Sequence, residues 1–332
     1  MSGGEARRSE GLLAPPPVAP VEPLRAPPSV AVVITAYEAA DTVGVAVRSA
    51  LEQEHAADQV IVVDDGSTDD LGGALREFGE AIDLVRKPNG GGASARNRGL
   101  EAAETEFMAI LDADDAYHPR RLAAIAEAAR LRPDLDIVTT DARLIVDDEP
   151  KGRLSTVAPF AAENQRAAIV ESSFVGGWPA LRRERLRAIG GFDEKMRIAY
   201  DWDCWLRLII AGSAAGMVTE PYYDYVLRSD SLSANRVASL WERPRLLEKA
   251  LADPNLREEE RPRVTRAIRR RRSEAVREET RALLADGSRS RERLLQLLST
   301  RNVDVNARAL AALGAVAPTA ARRVSGPPSG RV

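Results

Sequence analysis

Cysteine is nearly absent: Cys204 is the only one in 332 residues. One thiol cannot close a disulfide within the chain or build a multi-cysteine zinc site, and its solitude suits a reducing compartment. Histidine is almost as scarce. His55 and His118 both fall in loop-like settings without a third ligand beside them, so no histidine-based catalysis is expected. Long hydrophobic runs are missing as well. No window approaches the ~20 consecutive apolar residues of a membrane-crossing helix, and no apolar signal core follows the basic residues of the N-terminus. A cytoplasmic chain is therefore expected. Nor does one sign of charge dominate. The 47 basic and 50 acidic side chains give −3 at pH 7, which leaves no broad cationic field to attract nucleic acid.

What is present is an ordinary globular balance, 44% hydrophobic and 29% charged, in a chain long enough to bury a full core. Residues 1–28 hold Pro15, Pro16, Pro17, Pro20, Pro23, Pro27 and Pro28, a composition predicted to stay extended and disordered. From Ser29 the texture changes. Val30 to Ala36 is a β-rich apolar run, Asp41 to Gln53 has helical spacing, and Gln59 to Val63 is a second short strand. The alternation continues with a helix at Leu71–Phe78, a strand at Ile82–Arg86, a helix at Ala93–Ala103, a strand at Phe107–Leu111, a helix at Pro119–Leu131 and a strand at Asp136–Thr140. Strands alternating with helices predict an α/β sandwich with a mostly parallel central sheet. From about Pro150 to Asn235 the rhythm loosens. The expected organisation is thus a leader over 1–28, an α/β domain over 29–235, a helical accessory region over 236–300 and a disordered tail over 301–332.

Parallel α/β sheets bind ligands at the carboxyl ends of their strands, and the polar clusters lie at those ends. Asp64 and Asp65 follow a buried strand and lead through Gly66 and Ser67 into a turn. A capped turn needs one such residue, so the second carboxylate is free to accept from a base or a ribose hydroxyl. Asp112, Asp114 and Asp115 put three carboxylates into four residues at the end of another strand. They repel one another unless a cation sits among them, and hard oxygen ligands suit Mg2+ or Mn2+. An acidic helix start accounts for one of the three, Asp115, but not for all. Between these clusters, Asn89 to Asn97 is a glycine loop feeding a helix. Gly90, Gly92 and Ala95 satisfy a dinucleotide-binding spacing, but that fingerprint belongs to a first β-α turn, not a third. The helix start and Arg96 remain phosphate or base contacts.

Together these segments resemble glycosyltransferase family 2. The family's opening Tyr-Asn pair reads Tyr37-Glu38, its Ser-x-x-x-Gln reads Ser49 to Gln53, and its Asp-Asp-Gly-Ser-x-Asp reads Asp64 to Asp69. Its Asn-x-Gly-x-x-x-Ala-Arg-Asn-x-Gly element appears from Asn89 to Gly99, and its Asp-x-Asp motif as Asp112-Ala113-Asp114. Its Arg-Arg, Gly-Gly-Phe-Asp-Glu and Glu-Asp elements appear as Arg182-Arg183, Gly190 to Glu194 and Tyr200-Asp201. The resemblance covers residues 29–230. It implies a GT-A fold and inverting, metal-assisted transfer of a single sugar from a nucleotide diphosphate sugar to an acceptor hydroxyl on a glycan, a lipid-linked glycan or a small molecule. It also implies that Thr35, Tyr37, Glu38, Asp64, Asp65, Arg96 and Asp112 hold the donor nucleotide. Asp112 and Asp114 would hold Mn2+ or Mg2+, with Asp201 as the catalytic base. Position 38 departs from the family's usual Asn, and position 200 from its usual Glu. Neither the Gln-x-x-Arg-Trp motif nor the membrane helices of the processive synthases are present, so polymerisation is not expected. A nucleotidyltransferase would show a Gly-rich, Arg/Lys-bearing first strand end, which Ala36-Tyr37-Glu38 is not. The reading of a different class is a catalytically inactive GT-A binding or scaffold protein.

Other features read as plain structure. Cys204, among Trp202, Trp205 and Leu206, belongs to a core. The basic run Arg269 to Arg272 is a solvated helix face with Glu partners, with peripheral contact to an anionic lipid headgroup as the alternative. Arg228, Ser231 and Ser233 have a spacing that would let them close over a diphosphate.

Overall fold

The computed structural model describes residues 11–227, 236–285 and 291–325. Arg228, Ser231 and Ser233 lie outside them, as do the first ten and last seven positions. The described residues form two compact units that divide near Arg228.

The first unit is a single sheet wrapped by helices. Its strands are β1 (Leu12–Leu13), β2 (Val30–Ala36), β3 (Gln59–Asp64), β4 (Asp83–Arg86), β5 (Phe107–Asp112), β6 (Ala116–Tyr117), β7 (Leu135–Val146), β8 (Glu149–Arg153), β9 (Ala180–Arg182) and β10 (Ala214–Val226). Its helices are α1 (Val43–Leu51), α2 (Leu71–Leu75), α3 (Gly92–Ala102), α4 (Arg121–Leu131), α5 (Leu154–Val157), α6 (Gln165–Glu171), α7 (Arg183–Ala188) and α8 (Tyr200–Ile210). The strand order is β1-β10-β7-β9-β5-β2-β3-β4, with β6 against β10 and β8 against β7. Strands β4, β3, β2 and β5 are parallel, as the β-α-β rhythm predicts. The other half is mixed: short β9 runs antiparallel between β5 and β7, while β10 returns parallel to β7. The continuous apolar runs of β2, β3 and β5 are almost wholly buried, as covering both faces of a parallel sheet requires.

Close packing of α3 on this sheet depends on Gly99. A Cβ there would collide with the Cγ1 of Val33. Gly99→Ala is expected to cost about 1–3 kcal/mol by overpacking, read as a lower denaturant midpoint at unchanged slope. An unchanged midpoint would show that the contact yields freely.

The proline-rich segment from Gly11 onward is not the unpacked leader the composition predicts. Leu12 and Leu13 pair with Val218 and Met217 of β10. Arg132 donates to the Pro15 carbonyl at 2.8 Å, and the Leu24 N–H donates to the Arg130 carbonyl at 2.8 Å. An extended proline-rich chain has no internal hydrogen bonds, and here Arg132 takes up the carbonyl of Pro15 and Arg130, at 3.2 Å, that of Leu24.

The second unit is helical: α9 (Arg236–Ala252), α10 (Arg261–Ala285), α11 (Arg291–Leu298), α12 (Val305–Val316) and α13 (Pro318–Ser325). The last two stand where a disordered tail is expected from residue 301, as far as Ser325; the expectation for 326–332 lies outside the described residues. Asp304 caps α12 through the Ala307 N–H at 2.7 Å and pairs with Arg277 at 2.7 Å. Ala307 and Ala311 are buried in the same cluster as Val276, Leu294 and Leu297. An alanine-rich stretch without large residues hides its packing face from sequence inspection. The basic run of α10 is partnered as a solvated face should be, Arg271 with Glu274 at 2.9 Å and Arg272 with Glu248 at 2.8 Å. Among the described residues, no helix is long and apolar enough to cross a membrane.

Candidate active site

Register assembles the site. Thr35 of β2 lies beside Asp112 of β5, and Ala36 lies beside Asp64 of β3, so the carboxyl ends of three parallel strands bring Thr35, Asp64 and Asp112 to one rim. Asp112 Oδ1 accepts from Arg96 Nη2 at 2.9 Å and from the Thr35 hydroxyl at 3.4 Å. Arg96 is 2% exposed. Its guanidinium lies 5.0 Å from the Tyr200 ring centroid and 5.8 Å from that of Phe192. Such stacking offsets part of the cost of burying the charge. The Nε and Nη1 atoms of Arg96 are buried without hydrogen-bond partners, an arrangement a folded protein tolerates where a ligand completes it.

Tyr200 and Asp201 open α8. A side chain at position 92 would collide with the Tyr200 hydroxyl, so glycine at the start of α3 is what lets the two helix starts approach. Asp201, in the first turn, accepts from the adjacent Trp202 N–H at 2.7 Å and does not cap the helix, whose N-cap position is Ala199. Burial pushes its carboxyl above the ordinary aspartate range and the Asp112 charge adds to that, against the opposing pull of Arg96 and the Trp202 N–H. A carboxylate raised in this way is a stronger base than a surface aspartate. Asp203, two residues on, is spent elsewhere, paired with Arg207 at 2.8 Å and 1% exposed.

Asp64 and Asp65 serve the loop. Asp64 accepts from the Ser67 N–H at 2.8 Å and from Arg86 at 2.8 Å. Burial raises its carboxyl, but these hydrogen bonds win and hold it below the ordinary range. Asp65 takes both N–H groups of Gly90 and Gly91, at 3.0 and 2.7 Å, and the Lys87 ammonium at 2.5 Å. It thereby fastens the glycine loop to the β3 end. Gly66 makes the approach possible, since its φ is +81° and a Cβ would lie 2.6 Å from the Asn89 nitrogen. Glu38, at φ 49°, accepts from the Thr68 N–H and hydroxyl at 2.8 and 2.9 Å. Tyr37 is 53% exposed beside it. Of the residues expected to hold a donor, Thr35 and Arg96 both bond Asp112, whereas Glu38, Asp64 and Asp65 shape the surrounding loops.

The three aspartates of the acidic cluster part company. Asp115 is 2% exposed and accepts from the Tyr223 hydroxyl at 2.6 Å and the Val226 N–H at 2.8 Å. It binds β10 and does not start a helix. Burial, then the charges of Asp112 and Asp114, push its carboxyl well above the ordinary range. Beneath it lies Arg121, fully buried, 4.6 and 4.9 Å from the ring centroids of Tyr117 and Tyr223, donating to the Thr140 hydroxyl and to the Trp178 carbonyl at 2.6 Å. Asp112 and Asp114 stay partly exposed, and among the described residues Asp112 Oδ2 makes no hydrogen bond. Among the described residues no three Asp, Glu, His or Cys side chains converge as a metal cage. Two carboxylates with substrate phosphates are the usual donor set for magnesium, and Asp112 and Asp114 fit that pattern.

The remaining motif residues are scaffolding. Asn97 donates to the Phe192 carbonyl and to Glu194, each at 2.9 Å, and accepts from the Phe192 N–H at 2.8 Å. It ties α3 to the Gly190–Glu194 segment and so sets Phe192 against Arg96. Arg183 donates to the carbonyls of Ala103, Glu104 and Thr105 just past α3, at the opposite end of β5 from the rim. Cys204 is fully buried and its thiol is pushed up to about 12, chiefly by burial, so it is inert. Sequence reasoning missed Tyr223 and Arg121. The signal lay in the Tyr222–Tyr225 run and in an arginine set among the buried positions of α4.

The family model for glycosyl transferase family 2 matches residues 31–190. The chain is 32% identical over 225 residues to the succinoglycan biosynthesis protein ExoU of Rhizobium meliloti, covering 63% of this chain and 65% of that protein. It is 31% identical over 226 residues to ExoO, a succinoglycan biosynthesis protein of the same organism, covering 62% and 63%. With the putative teichuronic acid biosynthesis glycosyltransferase TuaG of Bacillus subtilis it shares 29% over 215 residues, covering 63% and 83%. The chain thus spans just under two thirds of the length of ExoU and of ExoO. The ordered motifs, the sheet that gathers them at one rim and these matches together make residues 31–190 a glycosyl transferase family 2 domain of GT-A type.

Proposed function

We propose that the chain transfers a single sugar, with inversion, from a nucleoside diphosphate sugar to a hydroxyl of a cell-surface polysaccharide precursor. The observation that carries the reading is the contact set Thr35–Asp112–Arg96–Tyr200 with Asp201 beside it. Arg96 presents two unsatisfied buried donors to an incoming nucleotide. Asp112 and Asp114 would hold Mn2+ or Mg2+. The ion, when bound, neutralises charge developing on the diphosphate leaving group. Asp201 deprotonates the acceptor hydroxyl as it attacks the anomeric carbon from the opposite face. Inversion asks for this one base, where hydrolases use a pair of carboxyl groups. The polysaccharide acceptor is supported by the names of the relatives, biosynthesis proteins for succinoglycan and teichuronic acid. The chain is expected to work on the cytoplasmic side, in peripheral contact with the membrane when its acceptor is lipid-linked.

A nucleotide-sugar screen by thermal shift with manganese, followed by donor hydrolysis, tests this. Stabilisation by one donor class with metal-dependent turnover is expected, and binding without any turnover would favour a scaffold protein. Tyr200→Leu should weaken nucleoside diphosphate binding about 2- to 30-fold, the range of a cation–π contact worth ~0.5–2 kcal/mol. Tyr200→Phe, which keeps the ring, should bind nearly as wild type. Equal losses in both, by titration calorimetry, would assign the effect to the hydroxyl.

A further inference from the structure

Two helical stripes face each other in the second unit without closing. On α9, Ala238, Trp241, Glu242 and Arg245 recur at helical spacing, and Arg293, Gln296, Leu297 and Thr300 repeat it along and just past α11. Between helices of a bundle such stripes are normally apolar and interdigitate. Here they carry an indole, three charged groups, an amide and a hydroxyl, and they leave a cleft of about 400 Å³, within the range of roughly 300–1,000 Å³ of small-molecule sites.

The indole is the second observation. Of the four tryptophans, Trp178, Trp202 and Trp205 are buried at 4%, 6% and 0% exposure. Trp241 is the one left partly exposed, and it lines the cleft. Its edge is locked: Nε1 donates to Glu279 at 2.6 Å, and Glu279 is clamped by Arg293 through bonds of 2.6 and 3.0 Å. Arg293 also donates to Gln296 Oε1 at 3.1 Å. A ring held by its N–H in a charged network is oriented before any ligand arrives, which lowers the cost of binding.

We propose that this cleft is a glycan-binding site, in which a pyranose ring lies on the Trp241 face and its hydroxyls meet Arg245, Gln296 and Thr300. The C–H groups on one face of a pyranose carry partial positive charge and match the negative face of an indole. Charge separates this occupant from a phosphate or nucleotide. Glu242 and Glu279 balance Arg245 and Arg293, so the cleft offers no surplus of positive charge to an anion. Arg245 is exposed and makes no ion pair among the described residues, leaving its donors for hydroxyls. The choice of a glycan as occupant rests on the reading under Proposed function.

A bacterial glycan microarray probed with the full chain tests the site without requiring turnover. Wild type should retain a subset of glycans, Trp241→Ala and the surface variant Arg245→Ala should lose them at least tenfold, and Asp201→Asn should keep them. Unchanged melting of Arg245→Ala guards against a loss that merely reports unfolding. Retention of no glycan, or signals that persist in both cleft variants and are displaced by nucleoside diphosphate, would overturn the proposal. Cleft-dependent binding by a chain that never turns over a donor would instead remove the transferase reading and leave the glycan site standing.

Discussion

Asp201→Asn should cut sugar transfer by roughly 10²- to 10⁴-fold, the usual contribution of a positioned general base, while nucleotide affinity and fold survive. Asparagine keeps the shape and a side-chain oxygen, so the Trp202 N–H retains its acceptor. What disappears is basicity. The pH profile gives an independent reading. The carboxylate is the active form and its folded pKa is raised, so turnover should fall with decreasing pH through a limb above the ordinary aspartate range, and the residual rate of the variant should lack that limb. Near-normal turnover would remove Asp201 from the mechanism. Asp203 would not be the natural replacement, because Arg207 already holds it.

Metal-supported binding should collapse in Asp114→Ala. Asp112 is the less informative target, since its loss also frees Arg96 from its 2.9 Å partner and confounds metal with guanidinium. In wild type, nucleoside diphosphate affinity measured with manganese should exceed that measured with chelator by one or more factors of ten. In the variant the two values should converge. A ratio that survives the substitution would place the ion elsewhere or dispense with it.

The half of the sheet built from β2, β3 and β5 was legible because strands buried on both faces read as unbroken apolar runs. The acidic strand ends were legible for the complementary reason, that carboxylates at such places need an explanation. Their division of labour was not. Asp64 and Asp65 look alike in sequence to Asp112 and Asp114, yet their partners Arg86, Lys87 and Gly91 lie 22 to 26 residues away, beyond any local pattern. Strand β10 escaped because Gly216 interrupts its apolar run and Pro221 coincides with its register shifts. With it went Tyr223, which holds Asp115. Strand β9, three residues long, carries too little period to be seen. Arg121 was misleading in a different way, since an arginine in a helix signals solvent and this one sits beneath the acidic cluster between two rings.

The short pairing of Leu12 and Leu13 bears on how the protein must be handled. Strand β10 ends the row of long strands, and β1 and β6 are what cover parts of its outer side. An uncovered strand edge is a template for another chain. A protein trimmed to begin at Ser29, where the apolar pattern suggests the domain starts, would keep its rim and its acidic cluster but expose that edge, making it prone to self-association and aggregation on concentration.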